Sequence, residues 1–400
     1  MPTLLQINVT ANWGSTGRIA EQINNMSREK GWDCYIAYGR YSNASQSSLI
    51  QVGSKLGVIA HYLENRIFDN EGLASRLATK RLIKEIQKLA PDIIHLHNIH
   101  DHWLNYKLLF EYLNTTDIPV VWTMHDCWAF TGGCAHYSLN GCYKWQRECE
   151  DCKHKGNVLD RSQKHYLLRK NLFLSNKNLT LVPVSDWLKS ELEKSFFQAS
   201  NIKTIYNGVD LDVFCERKNK QILRSYSLEG KYVLLALATT WSAKKGFNDY
   251  IELSKQLPSD CILVMVGVTS EQKSHLPVNI IGIERTQDVN ELVNLYSNSD
   301  IVLNLSYEES FGLTTVEGFA CGTPAIVYDT TASPELISPK TGVVVKAGDI
   351  NGVVDAINYI RKSDSDVYFN ECRKRAEELY DKNKSFAQYI ELYESLLNNK

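Results

Sequence analysis

Short apolar runs alternate with longer amphipathic segments along most of the chain, and no other feature restricts the fold as much. LLQINV is followed by GRIAEQINNMSREKG and then CYIAYG, with DIIHLH and VVWTMH further on. An apolar run of four to eight residues suits a strand buried on both faces, and such strands joined by helices build a parallel sheet. After VPVS, the helix-like DWLKSELEKSF and TIYNGVDLDVF, a second series starts at YVLLALAT and runs through CILVMVG, NIIGI, DIVLNLS and PAIVYD. The 400 residues are thus expected to form an α/β protein of two facing, Rossmann-like, doubly wound domains. The predicted boundaries are 1–205, 206–380 and a closing helix at 381–400. Ligands of open parallel sheets sit beyond the carboxyl ends of the strands, so the expected site is a cleft between the domains.

Composition removes several function classes. A net charge of -2 with no clustered basic face argues against nucleic acid. No window approaches 18 uninterrupted apolar residues, which argues against a membrane span, and MPTLLQINVTANWG reads as a first strand rather than a signal peptide. A cytosolic protein is expected, with peripheral contact at the inner membrane face left open. The basic stretch KRLIKEIQKLAP suits either a solvated helix face or anionic lipid.

The segment Asp300 to Asp329, DIVLNLSYEESFGLTTVEGFACGTPAIVYD, carries the most chemistry. It reads as strand, loop, helix, strand, with Phe311-Gly312 opening the helix. Glu309 is placed in the loop and Glu317 two turns into the helix. Between them the Gly312, Leu313 and Thr314 amides stand at a helix N-terminus, which favours phosphate. Carboxylates beside an anion site repel a bare phosphate but suit hydroxyls, so a sugar diphosphate fits both. Solvated surface charges are the plainer reading of any two glutamates; the strand–loop–helix context favours the ligand.

E-x7-E followed by GFACGTPAI, together with IYNGVDLDVF, AKKGF and DIIHLHNIHDHW, resembles the retaining glycosyltransferases of family 4, which have the GT-B fold. The resemblance spans nearly the whole chain. It implies that Glu309 contacts the donor sugar, Glu317 the ribose, and Lys245 the diphosphate leaving group. Family members commonly carry an Arg five residues before that Lys, where this chain has Thr240; Lys244 is a candidate substitute, and Trp241 a mark of some other solution. Gly282-Ile283-Glu284 resembles the segment whose backbone reads the nucleotide base. The resemblance makes His125-Asp126 a strand-end pair facing the donor sugar, with His125 an electrostatic or hydrogen-bonding aid, and His97 and His100 an acceptor-side pattern. It also implies that the last helix crosses back onto the first domain.

Other motifs are weaker. Gly14-Ser15-Thr16-Gly17, after the first strand, presents amides that suit either a diphosphate or a plain turn. Asn207-Gly208-Val209-Asp210 reads as a turn with Gly208 at positive φ, and Asp210-Leu211-Asp212 as structural rather than a catalytic metal site. No catalytic cofactor is expected.

HDCWAFTGGCAHYSLNGCYKWQRECEDC, residues 125–152, contains an insertion at 127–152 that holds five of the ten cysteines. Cys134, Cys142, Cys149 and Cys152 suit a structural zinc, which a reducing compartment favours over disulfides. Disulfides, free thiols and an iron–sulfur cluster stay open. Trp128, Phe130, Tyr137, Tyr143 and Trp145 suit either an acceptor wall or a small core.

These features point to a glycosyltransferase moving a sugar, with retention, from a nucleoside diphosphate sugar to a carbohydrate or lipid-linked acceptor in surface polysaccharide assembly. The alternatives are a nucleotide-sugar epimerase or phosphorylase of the same architecture, or a non-catalytic nucleotide-sugar-binding subunit, which Thr240 would favour.

Overall fold

The computed structural model describes residues 1–153, 157–217 and 221–398. Two compact units divide the chain: Met1–Ile205 with the stretch from Phe386 onward, and Tyr206–Ser385. Each is built on one sheet, and every strand pairing within both is parallel.

The first unit contains β1 (Thr3–Ala11), β2 (Asp33–Ser42), β3 (Ser48–Gln51), β4 (Ile93–Leu96), β5 (Val120–Met124), β6 (Leu179–Pro183) and β7 (Asn201–Ile202). Their order in space is β3-β2-β1-β4-β5-β6-β7. The second unit repeats the plan with β8 (Tyr232–Leu237), β9 (Cys261–Val266), β10 (Ile280–Ile283), β11 (Ile301–Asn304), β12 (Ala325–Tyr328) and β13 (Gly342–Val345), in the order β10-β9-β8-β11-β12-β13. Both are doubly wound sheets in which the winding reverses at the centre, between β1 and β4 and between β8 and β11. The central strands are buried along their length, as their unbroken apolar runs require.

The helix Lys382–Asn398 completes the first unit's core. Phe386, Tyr389, Ile390 and Tyr393 pack with Leu4, Ile93 and Val121. Two phenols reach the buried sheet: Tyr393 shares a 2.6 Å hydrogen bond with Nδ1 of His95, and Tyr389 one of 2.9 Å with Thr123 Oγ1. The preceding turn belongs to the second unit, through the Val209–Asp381 bridge and the Lys382–Asp210 ion pair.

Two sequence expectations change here. Gly208 is not at positive φ; it is glycine because a Cβ would lie 2.3 Å from Lys382 Cα. Gly14 to Gly17 is not a turn before a helix but the first turn of the helix Gly14–Glu29. Gly17 there lets helix and strand touch, a Cβ meeting Thr10 Oγ1 at 2.7 Å. Asp210 does act structurally, accepting from the amides of Asp212 and Val213 at 3.1 and 3.3 Å.

Replacing Tyr393 by Phe leaves the fully buried His95 short of a partner. A loss of roughly 1–3 kcal/mol is expected in urea denaturation of the whole chain, while an unchanged midpoint would mean that the bond carries no net stability.

Candidate active site

In the second unit the loops after β8 and β11 leave the sheet on either side of its switch point. The β8 loop closes in a short turn, Ala243–Lys245, and Gly246 follows at φ 69° with no room for a side chain, a Cβ lying 2.2 Å from the Leu305 carbonyl oxygen. This close approach brings the two lysines against the β11 loop. Tyr307 N–H donates to the Lys244 carbonyl at 2.8 Å, Lys244 Nζ lies 3.0 Å from Glu308, and Lys245 Nζ donates to Glu309 at 2.7 Å. Tyr250, buried beneath, ties down the end of β11 by accepting from Leu305 N–H and donating to the Leu303 carbonyl, both at 2.9 Å.

The two ion pairs differ in kind. Glu308 has a side chain 1% exposed, so Lys244 answers a charge that burial would otherwise make costly. The Lys245–Glu309 pair is open to solvent on both members, at 33% and 19%, and its partners are therefore exchangeable. Glu308 was invisible as a site residue because nothing in the string YEES tells which glutamate turns inward. Thr240 is exposed, and Trp241 is a core pillar whose Nε1 donates to the Val266 carbonyl at 2.9 Å.

The helix Leu313–Ala320 begins beside this pair, with Gly312 as its N-cap in the left-handed region at φ 103°. The first amides of the helix, those of Leu313 and Thr314, have no intrahelical carbonyl to bind. Glu317 lies little more than one turn in, not two, and accepts a 2.8 Å hydrogen bond from Tyr296 OH. Ile283 closes β10 with a buried side chain, and its carbonyl accepts from Gly267 N–H at 2.7 Å; that oxygen belongs to the backbone frame. Beyond it, Glu284 accepts from Ser270 Oγ at 2.8 Å.

In the first unit, histidines cluster at the carboxyl ends of β4 and β5. Gln6 anchors the chain: its amide donates to the Ala20 carbonyl and to Asn24 Oδ1, each at 2.6 Å, so its oxygen accepts from His97 Nε2 at 2.6 Å. A neutral His97 then carries a lone pair on Nδ1, and His125 Nε2–H donates to it at 3.0 Å. By this chain of donors His125 holds its own Nδ1 bare, as an acceptor. Burial keeps His97 well below the ordinary histidine range and brings His125 down to about 4, with His95 adding to the effect on His97 and His100 to that on His125. His100 runs the other way. Burial opposes its charge, but Asp126, 2.8 Å from Nε2, and Asp101 hold it well above the usual value. The structure therefore joins His97 to His125 and, separately, His100 to Asp126. Gln6, the residue that orients the first pair, carried no motif.

The insertion folds around its aromatics. Trp128, Phe130, Tyr137 and Trp145 are buried, with Trp145 centred 4.9 Å from Phe130 and 5.0 Å from Tyr137, so they form the small core; Tyr143 is exposed. Arg169 stacks 3.8 Å above the Trp128 ring and donates to the Thr131 carbonyl at 2.8 Å. Cys134, Cys142, Cys149 and Cys152 line one cavity of about 240 Å³. Cys149 Sγ accepts from Gly132 N–H at 3.1 Å. Among the described residues no three such side chains stand where they could hold a metal ion, so the expected tetrad is gathered as a pocket rather than as a coordination sphere.

Two doubly wound units, one with a lysine–glutamate pair and a helix N-terminus at its switch point, have the architecture of the GT-B glycosyltransferases. The sequence bears this out. The family model described as Glycosyltransferase Family 4 matches residues 16–213, and that described as Glycosyl transferases group 1 matches residues 219–381. The chain belongs to glycosyltransferase family 4. It is 19% identical to the putative colanic acid biosynthesis glycosyl transferase WcaC of Escherichia coli, over 98% of this chain and 100% of the relative. It is 26% identical to the N-acetyl-alpha-D-glucosaminyl L-malate synthase of Bacillus anthracis, over 54% of this chain and 59% of the relative. Among solved structures, sucrose-phosphate synthase from Thermosynechococcus elongatus shares the fold with a TM-score of 0.76 at 16% identity, covering 100% of both chains. Anabaena HepE in complex with UDP-glucose does so with a TM-score of 0.67 at 15% identity, covering 98% of this chain and 99% of that one.

The buried histidines make stability depend on pH with a definite sign. His61 and His125 are depressed to about 4, and His95 and His97 lie well below 6.5. Between those values and 6.5 the unfolded chain binds more protons, so stability is lost as pH falls. His100, raised, contributes fully below 6.5 and fades only as pH rises. Stability from urea denaturation is expected to be lower at pH 5.0 than at pH 7.5, by roughly 2 kcal/mol for each of His61 and His125 before coupling.

Proposed function

We propose that this glycosyltransferase takes a nucleoside diphosphate sugar and moves the sugar, with its anomeric configuration retained, onto a saccharide or lipid-linked saccharide in surface polysaccharide assembly. The observation that carries the reading is the solvent-open Lys245–Glu309 pair at 2.7 Å beside the N-terminus of the helix Leu313–Ala320. It supplies a cation and free amides for a diphosphate, and a carboxylate for sugar hydroxyls. WcaC and HepE support the reading by what their names say of them: colanic acid biosynthesis for one, bound UDP-glucose for the other.

The proposed roles follow from charge. Lys245 exchanges Glu309 for the diphosphate and stabilises the negative charge that grows on the leaving oxygen as the glycosidic bond breaks. Glu309, released, accepts from the donor sugar. Glu317 accepts from the ribose, with Tyr296 fixing its carboxylate. Lys244, held by Glu308, adds a second positive charge where Thr240 supplies none. The first-unit residues His125, His97, His100 and Asp126 are proposed for the acceptor and the transferred sugar. His125 serves as a neutral acceptor through Nδ1, since a group brought down to about 4 is uncharged at neutral pH.

Acceptor-dependent release of nucleoside diphosphate tests this. Lys245→Ala is expected to lower kcat/KM about 100- to 1000-fold, and Glu317→Ala to raise the donor KM about tenfold with a smaller change in kcat. A product of inverted anomeric configuration, or turnover indifferent to Lys245, would overturn the assignment.

The four cysteines are proposed to close on a structural zinc. What supports this is their shared cavity and the amide-to-sulfur bond at Cys149. Chelator-free protein should then hold about one zinc per chain, and clearly less would overturn the zinc assignment.

A further inference from the structure

Among the described residues, Thr331 is the one β-branched side chain in the left-handed region, at φ 48°. Asn, Asp and His enter that region more readily, but a branched Cβ crowds the backbone there and strains it. Such strain persists where the surrounding contacts over-determine it, and those places cluster at working sites. The hydroxyl of Thr331 leads to one: it accepts from Glu309 N–H at 2.9 Å.

β11 and β12 are paired neighbours, so the loops after them run side by side. Thr330 Oγ1 donates to the Ser306 carbonyl at 2.7 Å, and Ala332 N–H donates to the Glu309 carbonyl at 3.1 Å. Both backbone polar groups of Glu309 are therefore held by two consecutive residues of the β12 loop. With Thr331 left-handed, its hydroxyl and the next amide face the same partner. Holding the peptide planes on either side of a Cα fixes the direction of its side chain. That direction separates two adjacent glutamates: Glu308 turns inward with a side chain 1% exposed, and Glu309 turns out to Lys245. The short helix Ser333–Leu336 carries the brace further, since Leu336 fills the space beside Gly312, where a Cβ would lie 2.8 Å from its Cδ1.

We propose that Thr331 is a positioning residue for glycosyl transfer, its strained backbone and its hydroxyl aiming the Glu309 carboxylate at the donor sugar. Glycine would take φ 48° without strain; what threonine adds is the hydroxyl on Glu309. The inference rests on the role given to Glu309 above, and the two can fail separately.

The test compares Thr331→Val, Thr331→Ser and Thr331→Gly in the full chain, with radiolabelled UDP-glucose, or whichever nucleoside diphosphate sugar the wild type consumes fastest, as the probe. Val keeps the shape and loses the hydroxyl, and is expected to lower kcat about tenfold with the donor KM within about twofold. Ser keeps the hydroxyl and should restore about half of the wild-type kcat or more. Gly loses hydroxyl and strain together, so it should melt no lower than the Val variant yet turn over no faster. In single turnover, Thr331→Val added to Glu309→Ala should change the rate by less than about twofold, because no carboxylate is left to aim. Without any ligand, hydrogen exchange of residues 305–312 should be faster in Thr331→Val than in the wild type. Unchanged exchange, a Val variant as fast as the wild type, or a Val effect undiminished beside Glu309→Ala overturns the proposal. Full turnover by Glu309→Ala alone would overturn the role of Glu309 and this inference with it, whereas a slow Glu309→Ala beside a fast Thr331→Val would overturn this inference only.

Discussion

Parallel strands that leave the middle of a sheet in opposite directions create a place no crossover helix covers, and the chemistry of the second unit depends on that place. β8 and β11 are neighbours whose onward connections diverge, so the loops after them face each other with their ends fixed by the ladder. Gly246 is the tightest part of this constraint. Its missing side chain lets the β8 loop touch the Leu305 carbonyl, and from that contact follow the positions of Lys244 and Lys245 against Glu308 and Glu309. A helix N-terminus opening in the same loop adds amides at no further cost in charge.

Electrostatics then sort the residues by task. A carboxylate as buried as that of Glu308 needs a cation in every state of the protein, so the Lys244–Glu308 pair is architecture that lends its position to the site. Glu309 and Lys245 are both open to solvent, so they can part without stranding a buried charge. The first unit follows the same logic with neutral groups. His97 and His125 are kept uncharged by burial and are oriented by Gln6, whose amide is fixed by a carbonyl that can only accept. His100 goes the other way, held well above the usual histidine range by Asp126 and Asp101.

The parallel sheets were legible in the sequence because they rest on period and run length, and the strand–loop–helix reading of residues 300–329 put Glu309 in the loop that meets Lys245. Residues whose roles depend on distant partners were not. Glu308 and Glu309 are adjacent and chemically identical, and only the packed loop separates a buried carboxylate from an open one. Gln6 lies 91 positions from His97. Gly208 was read as a conformational glycine and proves to be one of close approach, a distinction that requires knowing where Lys382 lies.

If the Lys245–Glu309 pair stands where a diphosphate belongs, its two members must have opposite effects on a ligand that has the phosphates but no sugar. Calorimetric titration of the bare nucleoside diphosphate whose sugar the enzyme turns over separates them. Lys245→Ala should weaken binding by about tenfold or more, because a charge-assisted contact is lost, whereas Glu309→Gln should tighten it, because a competing carboxylate is gone. Weakening by both substitutions, or no change from either, would contradict the account.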